Sequence, residues 1–414
     1  MAKQLIRRIQ EQSLYTALEQ RRVVLLTGPR QCGKTTLSKH LKLENSAYFS
    51  LDDATFLQAA IQDPQGFVIS HRRTTIIDEI QRAPTLLTAI KMIVDNNTEY
   101  GQFLLTGSAN LNALPSVQES LAGRVKKIRL RTLTQTEIEG NQGDFLKNAF
   151  EQTFATPAIA KSKADILKYC FRGGYPEVLN LSQRQRQSWH EDYVQALLER
   201  DLRDVAKIRN VGAMYELVKV LCSWTGKFIN MNELASHLSI NYLSLDTYIR
   251  ALEALFIVER LEPWMKIDYQ RIGRRPKFFI NDTGLVCSLL RWQQDQILFD
   301  SDRSGKIVET FVFNELATLI DRSNGEYGLY HYRDREGREI DFLIERDDGA
   351  MLGIEVKAGS SVGIGDFKHL VWMQKLLHNQ RPFIGIILYT GQYVLPFGKN
   401  FWAVPMASIW HVTE

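Results

Sequence analysis

A phosphate-binding pattern, G-x-x-x-x-G-K-[ST], is formed by residues 28–35, which read GPRQCGKT. Glycines at its two ends allow backbone angles that let successive N–H groups surround phosphate oxygens. Lys34 is expected to reach the β- and γ-phosphates, and the hydroxyl of Thr35 to ligate Mg²⁺. The apolar stretch VVLL precedes the loop and a helix-like stretch follows it, which is the context that this motif requires. The predicted ligand is therefore ATP with Mg²⁺, bound by Gly28, Pro29, Arg30, Gln31, Cys32, Gly33, Lys34, Thr35 and Thr36.

Two adjacent carboxylates end the apolar segment Thr75-Ile76-Ile77. After a phosphate loop, the first of them, Asp78, is predicted to hold the Mg²⁺ shell, and the second, Glu79, to deprotonate the attacking water. The alternative is a strand that ends in acids because it meets solvent. We interpret Asp78 as a metal ligand, and Glu79 and Lys34 as catalytic.

Hydroxyl and arginine candidates follow further along the chain. Thr106 and Ser108 end another apolar segment. Either hydroxyl could contact the γ-phosphate or the attacking water, or could form a turn. Arg124 opens the basic strand RVKKIRLR and is a candidate arginine finger for its own or a neighbouring nucleotide. The alternative is one solvated or nucleic-acid-facing edge. The other arginines considered for the finger role are Arg172, Arg200 and Arg203.

A second group of charged residues lies in the last hundred residues. Glu309 is on a predicted helix, Asp341 is on a predicted strand, and Glu355 and Lys357 share one face of the next strand. Carboxylates suit Mg²⁺ or Mn²⁺, and a lysine beside them suits metal-assisted phosphodiester hydrolysis. The set resembles the PD-(D/E)XK nuclease core. The alternative is alternating charge on a half-exposed strand, and a fold of this kind does not imply an active site.

The elements that position these residues fall into two patterns. Five strand-length apolar segments, with helix-length stretches between most of them, indicate a parallel sheet covered on both faces. After about Gly140 the pattern becomes helical. Residues 231–256 then predict two helices with a short turn, followed by two strands, which is the outline of a winged helix. Its wing contains the basic residues Arg271, Arg274, Arg275 and Lys277. For this stretch, DNA contact and a role in protein docking or packing are equal alternatives.

Seven motifs occur in a fixed order, namely GPRQCGKTT, SLDD, IIDEIQ, LLTGS, LAGR, FRGGYPE and LLERDL. In these the chain resembles prokaryotic AAA-type P-loop ATPases whose C-terminal half is a restriction-endonuclease-like domain. The resemblance implies an α/β fold with a RecA-like P-loop parallel sheet core, a helical lid, a winged helix and a C-terminal α+β restriction-endonuclease-like domain. The expected domains are residues 1–140 (ATPase core), 141–215 (lid-like region), 216–290 (winged helix) and 291–414 (PD-(D/E)XK-like).

Composition limits the class of protein more than its role. The chain has 414 residues, 44% hydrophobic and 24% charged, which are globular values. Its net charge of +4 does not by itself indicate nucleic acid. Four scattered cysteines support neither a disulfide framework nor a zinc site. No secretory signal or membrane span is apparent, so a cytoplasmic location is expected.

Three functions are compatible with these observations. The first is ATP hydrolysis that drives or regulates conformational change on a partner or DNA. The second is an ATP-controlled, metal-dependent DNA nuclease, and the third is a nucleotide-gated protein-binding switch. Glu79 argues against the third, because a switch that never hydrolyses ATP needs no base. No assembly element in the sequence decides between a ring of subunits and a monomer.

Overall fold

The computed structural model describes residues 5–69, 74–108, 123–141, 143–202, 211–238, 240–265, 275–377 and 380–411. Its helices are α1 (Glu11–Gln20), α2 (Lys34–His40), α3 (Ala54–Gln62), α4 (Pro64–Ile69), α5 (Leu86–Asn96), α6 (Gln135–Ile138), α7 (Phe145–Glu151), α8 (Lys163–Arg172), α9 (Gln183–Ala196), α10 (Val211–Ser223), α11 (Met231–His237), α12 (Tyr242–Ala254), α13 (Thr283–Leu289), α14 (Gln294–Phe299), α15 (Ser301–Arg322) and α16 (Lys368–Leu376). Its strands are β1 (Val23–Thr27), β2 (Ser46–Ser50), β3 (Thr74–Asp78), β4 (Phe103–Gly107), β5 (Val125–Arg129), β6 (Lys227–Phe228), β7 (Val258–Leu261), β8 (Lys277–Ile280), β9 (Tyr327–Arg333), β10 (Glu339–Arg346), β11 (Met351–Lys357), β12 (Phe383–Tyr389), β13 (Leu395–Pro396) and β14 (Phe401–Pro405).

The first third of the chain folds around a five-stranded sheet in the order β2-β3-β4-β1-β5. Every neighbouring pair is parallel, so the predicted parallel α/β core is confirmed. Because parallel strands end at the same edge, this carboxyl edge gathers Thr27, Asp78 and Gly107. The residues of the predicted nucleotide site are therefore brought together by strand order.

Each face of this sheet has its own core, because successive strand residues point to opposite sides. Val23 and Leu25 pack with the buried residues of α5, whereas Val24 and Leu26 pack with those of α1 and α2. All four of these β1 side chains are at most 1% exposed. A continuous apolar run is what a strand covered on both faces requires.

The middle of the chain combines helices with a small antiparallel sheet in the order β6-β8-β7. The two helices α11 and α12 begin at asparagine caps, since Asn230 accepts from the amide of Asn232 and Asn241 from that of Leu243. The predicted pair of helices followed by two strands is thus present, and β6 joins the two strands as a third.

The last part of the chain forms a six-stranded sheet in the order β13-β14-β12-β11-β10-β9. Strands β9, β10 and β11 are antiparallel neighbours, whereas β11, β12 and β14 run parallel. Helix α15 precedes the sheet and α16 connects β11 to β12. The sequence did not predict β9 or β14. Most of β9 is only half-buried, so it lacks the apolar signal that marks the central strands.

Buried side chains between residues 145 and 410 form one continuous core that includes the helices, the small sheet and one face of the six-stranded sheet. Trp410, near the end of the described chain, is fully buried in it. Its ring lies edge-on to Tyr169 and Phe311, with centroid distances of 6.0 and 5.8 Å. The segments predicted as a lid, a winged helix and a C-terminal domain therefore share their packing.

Candidate functional site

The phosphate loop, residues 28–33, connects β1 to α2. A Cβ added at Gly28 would lie 2.0 Å from the carbonyl oxygen of Leu130, so no larger residue fits there. Gly33 has a φ of +103°, in the left-handed region that favours glycine. The thiol of Cys32 is fully buried and lies 3.4 Å from the same Leu130 carbonyl. Both predicted glycines are thus required by the backbone of the loop.

Lys34 lies inside the loop and is only 4% exposed. Its ammonium donates to the carbonyls of Gly28 at 2.9 Å and Pro29 at 2.8 Å. A phosphate oxygen held by the loop would compete with these neutral carbonyls, because a charged acceptor makes the stronger hydrogen bond. This is the position that the predicted phosphate-binding role of Lys34 requires.

Asp78 ends β3 at the carboxyl edge of the sheet and is 2% exposed. Its Oδ2 accepts hydrogen bonds from the hydroxyl of Thr35 at 2.9 Å and from that of Tyr48 at 2.7 Å. Its Oδ1 accepts a hydrogen bond from the hydroxyl of Thr106. Burial and the adjacent carboxylate raise the pKa of Tyr48, so this phenol stays a donor at neutral pH.

The two predicted Mg²⁺ ligands are therefore in direct contact. Thr35 and Asp78 offer hydroxyl and carboxylate oxygens, the ligand types that Mg²⁺ prefers. A single carboxylate with one hydroxyl leaves coordination positions for water and phosphate oxygens, as is usual for Mg²⁺ beside a nucleotide. The chemistry of this donor pair fits the cation that the loop implies.

Glu79 follows Asp78 in a left-handed conformation, with φ +59° and ψ +46°. Its carboxylate accepts from the hydroxyl of Ser108 at 3.2 Å and from the amide of Gln81. The Gln81 amide also lies 3.0 Å from Ser108 Oγ. The sequence could not separate the roles of the two hydroxyls. In the structure Thr106 contacts Asp78, whereas Ser108 contacts Glu79.

Arg8 is a residue of this site that the sequence did not indicate. It is 6% exposed, and its guanidinium donates to Glu137 Oε1 at 2.9 Å, to the Cys32 carbonyl at 2.7 Å and to the Arg131 carbonyl at 2.7 Å. Glu137 is itself fully buried. Arg8 therefore ties the phosphate loop to the chain that follows β5, and no local pattern around it predicts this role.

A cavity of about 280 Å³ opens beside the tip of the loop. Arg30 and Gln31 line it from the loop, Trp189 and Tyr193 from α9, and Arg200 from a π-helical turn over Leu197–Asp201. The rings of Trp189 and Tyr193 are stacked at 5.1 Å. Single π-turns in helices are frequent at functional sites.

Two contacts connect the loop to this helical region. The guanidinium of Arg30 lies 2.5 Å from a carboxylate oxygen of Asp201, and the hydroxyl of Tyr193 donates to the Arg30 carbonyl at 3.2 Å. Arg200 is exposed and lines the same cavity. Of the finger candidates that the structure describes, it is the one that lines a cavity together with residues of the loop.

The structure places Arg124 away from the phosphate loop of its own chain. Arg124 precedes β5, and β5 starts beside Val23 at the amino end of β1. Five strand residues span about 16 Å, which separates Arg124 from the carboxyl edge where the loop lies. Its guanidinium contacts Asp95 on α5, with Nη2 to Oδ2 at 3.1 Å.

The structure also shows where the other arginine-finger candidates and the end of the basic strand RVKKIRLR lie. Arg172 donates to Gln135 of α6, and Arg203 lies outside the described residues. Arg131 is buried, and its guanidinium contacts Glu259 at 2.6 Å and Asp321 at 2.6 Å. Burial favours a neutral carboxyl, but Arg129 and Arg131 lower the pKa of Glu259 to about 2. The end of β5 is therefore an internal ion-pair network rather than a solvated edge.

The C-terminal charged group is assembled differently from the prediction. Glu309 on α15, Asp341 on β10 and Glu355 on β11 do converge, and Asp341 Oδ2 accepts from the amide of Val356 at 2.9 Å. Lys357 does not join the three carboxylates, because its ammonium is paired with Asp366. Among the described residues, no group of three or more His, Cys, Asp or Glu side chains could hold a metal ion.

The lysine within this group is Lys277, which the sequence placed on a basic wing. Its side chain is 2% exposed, and its ammonium lies 3.0 Å from Glu309, 2.6 Å from Glu339 and 3.4 Å from Asp341. Lys277 is therefore not available for DNA contact, because β8 packs this residue inward against the C-terminal region. Arg271 and Arg274 lie outside the described residues, and Arg275 is exposed.

Comparison with known families divides the chain into three parts. Residues 20–139 match a family model described as an AAA domain. These residues are similar to AAA domains. Residues 163–296 and 304–409 match two models, DUF8612 and DUF4143, that are both described as domains of unknown function. The AAA match and the phosphate loop together support a P-loop ATPase domain of AAA type in the first third of the chain.

Two mycobacterial proteins are similar to this chain over most of its length. The uncharacterized proteins Rv2008c of Mycobacterium tuberculosis and Mb2031c of Mycobacterium bovis are each 29% identical over 398 residues. The alignment covers 96% of this chain and 82% of each relative.

Solved structures are less similar to this chain in sequence than these two proteins are. A Walker-type ATPase of Pyrococcus abyssi has a TM-score of 0.41 at 12% identity, over 68% of this chain and 94% of that one. A point variant of RuvB from Thermotoga maritima has a TM-score of 0.28 at 17% identity, over 60% and 88%. Scores this low carry no argument about function. Among the described residues, no helix has the length and apolar character needed to cross a bilayer.

Proposed function

We propose that this protein is a P-loop ATPase that hydrolyses ATP to drive or regulate conformational change on a partner. The observation that carries the proposal is the pair Asp78 and Glu79 at the carboxyl edge of the sheet. Asp78 contacts Thr35 of the phosphate loop helix, and the adjacent Glu79 contacts Ser108, which directly follows the neighbouring strand β4. The match of residues 20–139 to an AAA domain supports the same chemistry.

Each residue then has a defined task. The loop amides and Lys34 bind the phosphates, and Thr35 and Asp78 would hold Mg²⁺, which neutralises phosphate charge. Glu79 accepts the proton of a water whose oxygen attacks the γ-phosphorus, while the bond to the bridging β,γ-oxygen breaks. The products are ADP and inorganic phosphate. In this structure Ser108 and Gln81 both donate to Oε2 of Glu79, so they orient the carboxylate toward the attacking water.

Arg200 is our candidate for the arginine that contacts the γ-phosphate. It lines the cavity next to Arg30 and Gln31, whereas Arg124 lies at the opposite edge of the sheet. An arginine at the transferring phosphate stabilises the charge of the transition state. Asp201, its neighbour, holds Arg30, so movement of the π-helical turn and of the loop is coupled.

The same structure provides a route from the nucleotide to the rest of the chain. Arg8 links the loop carbonyl of Cys32 to the backbone of Arg131. The side chain of Arg131 in turn contacts Glu259 on β7 and Asp321 on α15. We propose that a shift of the loop on hydrolysis is transmitted along these contacts.

Two fold assignments belong to this proposal. Helices α11 and α12 with the sheet β6-β8-β7 support a winged helix. The order α15, three antiparallel strands, α16 and a parallel strand supports a restriction-endonuclease-like C-terminal region. We propose the winged helix, the restriction-endonuclease-like region and the four domains that the sequence predicts.

The surface of helix α12 favours a protein, rather than DNA, as the partner. At its amino end Tyr242 is 49% exposed and Leu243 is 75% exposed. Arg250, which is also on this helix, is paired with Asp246 at 2.7 Å. A helix that reads DNA presents free basic side chains to phosphates and base edges.

The test of the ATPase is the substitution Glu79→Gln, with exposed Glu99→Gln as the matched control. We expect Glu79→Gln to bind ATP within a few-fold of wild type, because the amide can still accept from Ser108. Its kcat should fall by about 10²- to 10⁴-fold, the usual contribution of a general base. The control should retain wild-type turnover. A wild-type kcat in Glu79→Gln would remove Glu79 from its role.

A further inference from the structure

The acidic centre of the C-terminal region, defined as Glu309, Glu339, Asp341 and Glu355, already contains a cation. The ammonium of Lys277 contacts the first three of these carboxylates at 2.6 to 3.4 Å. Lys277 starts β8, so it reaches the centre from a different sheet. The centre is therefore shared between two parts of the chain.

Resemblance to PD-(D/E)XK nucleases implies a divalent metal between the strand carboxylates, with the lysine of the E-x-K motif beside it. The residues present do not fit that arrangement. Lys357 is turned to Asp366, and Lys277 stands where the carboxylates converge. A metal ion bound there would be placed against an ammonium of the same sign.

The charges explain why a lysine is needed. Buried carboxylates are costly unless they are paired. Among the described residues, Arg333 lies 3.7 Å from Glu339. The Nδ1 of His369 lies 3.9 Å from Glu355, and this imidazole is a counter-charge only when it is protonated. Burial raises the pKa of Glu309 and that of Glu355, although Lys277 acts in the opposite direction. The ammonium of Lys277 is thus the main compensation for this centre.

Contacts around Lys277 hold it in place. Its ammonium also lies over the ring of Phe228 on β6, 5.3 Å from the centroid. Beyond the end of β7, the amide of Trp264 donates to the carbonyl of His331 on β9 at 2.7 Å. The small sheet is therefore joined to the six-stranded sheet by backbone as well as by charge.

We infer that Lys277 is the resident cation of the acidic centre, that it locks the sheet β6-β8-β7 onto the C-terminal region, and that it keeps the centre free of divalent metal. The centre is then a structural ion-pair lock and not a nuclease site. This inference is independent of the ATPase proposal, because no residue of the phosphate loop takes part.

Binding of Mn²⁺ to the full chain without nucleotide tests the inference, measured as bound Mn²⁺ per chain by electron paramagnetic resonance. Wild type and Asp341→Asn should bind equal amounts, since the centre of the wild type takes no metal. Lys277→Met, which keeps the volume and removes the charge, should bind one more Mn²⁺ per chain. The double variant Lys277→Met with Asp341→Asn should lose that additional ion.

Thermal unfolding gives a second readout. Lys277→Met should unfold at a lower temperature than wild type, and Mn²⁺ should restore several degrees of the loss. Lys357→Met is the matched control and should show neither effect, because Lys357 lies outside the centre. Mn²⁺ binding by wild type that Asp341→Asn abolishes would overturn the inference, and so would a folded Lys277→Met that binds no additional Mn²⁺. If Lys277→Met does not fold, the comparison of wild type with Asp341→Asn still decides the question.

Discussion

The hydroxyl of Thr35 and the carboxylate of Asp78 are hydrogen-bonded at 2.9 Å, although the two residues are 43 positions apart. The oxygen of Asp78 that accepts this bond also accepts the hydroxyl of Tyr48 at 2.7 Å. Two hydroxyls from different elements therefore fix the orientation of one carboxylate. Only Thr35 belongs to the phosphate loop helix, so the contribution of Tyr48 can be tested separately.

Tyr48→Phe removes one hydrogen bond from Asp78 and keeps the ring. We expect the Mg²⁺ concentration for half-maximal ATP hydrolysis to rise by about 2- to 10-fold, the equivalent of one ordinary hydrogen bond. The kcat at saturating Mg²⁺ should be unchanged, because Tyr48 orients a ligand and does not touch substrate. Exposed Tyr100→Phe is the control, and a Mg²⁺ requirement equal to that of the control would contradict this role.

Arg8→Met leaves the buried carboxylate of Glu137 without its partner. Breaking a buried ion pair in this way costs about 3–5 kcal/mol of unfolding free energy. The KM for ATP should also rise, because the Cys32 carbonyl in the loop loses its donor. Urea unfolding and steady-state kinetics measure the two effects, with neighbouring Arg7→Met, whose side chain is 68% exposed, as control. Equal behaviour of the two variants would show that Arg8 does not shape the loop.

Arg200→Ala and Arg124→Ala separate the two arginine candidates. We expect Arg200→Ala to lower kcat at least about 10-fold, because an arginine at the γ-phosphate stabilises transition-state charge. Arg124→Ala should leave kcat unchanged in dilute protein, since Arg124 lies at the amino edge of the sheet. A larger loss in Arg124→Ala than in Arg200→Ala would instead indicate a site completed by a second copy of the chain.

Stability should depend on pH through Glu315 on α15. Burial raises its pKa to about 8 from an ordinary 4.5, although the amide of Gln135 donates to it at 2.8 Å. Among its charged neighbours, Glu137 also raises this pKa, whereas Arg172 lowers it. Between these two pKa values the native chain holds a proton that the unfolded chain has lost, so stability falls as pH rises through this window.

Glu315→Gln cannot lose a proton, so its unfolding free energy should fall less than that of wild type between about pH 5 and 8. Urea unfolding at several pH values measures the difference between the two slopes. Exposed Glu326→Gln, on the loop after α15, should keep the wild-type slope. Parallel slopes for wild type and Glu315→Gln would show that Glu315 does not cause the fall.

Local sequence patterns were sufficient to predict the parallel sheet and to place Thr35 and Asp78 at one site. Apolar runs mark buried strands, and a parallel sheet brings strand ends together whatever lies between them. The same reasoning places Arg124 at the amino edge of the sheet, because this residue precedes a parallel strand, and the arginine-finger prediction overlooked that. Local patterns could not find Arg8, which reaches Cys32 across 24 residues through the packing of α1.

Lys277 shows a different limit of prediction from the sequence. In the sequence it ends a basic run, which usually forms a solvated surface. In the structure β8 pairs with β7 and β6 and turns this one side chain inward, toward carboxylates 32 and 64 residues later. A charge is buried only where a distant part of the chain supplies its counter-charges, so the composition of the run itself could not indicate it.

The burial of Trp410 has a consequence for biosynthesis. The indole of Trp410 is part of the core that begins near residue 145, where it packs on Tyr169 and Phe311. A ribosome releases residues in order, so the packing around the lid helices stays incomplete, with apolar surface exposed, until the last strand and Trp410 have emerged. The ATPase sheet has its own two cores and can fold while the rest is still being translated. Chaperone demand during synthesis should therefore fall on the later two thirds of the chain.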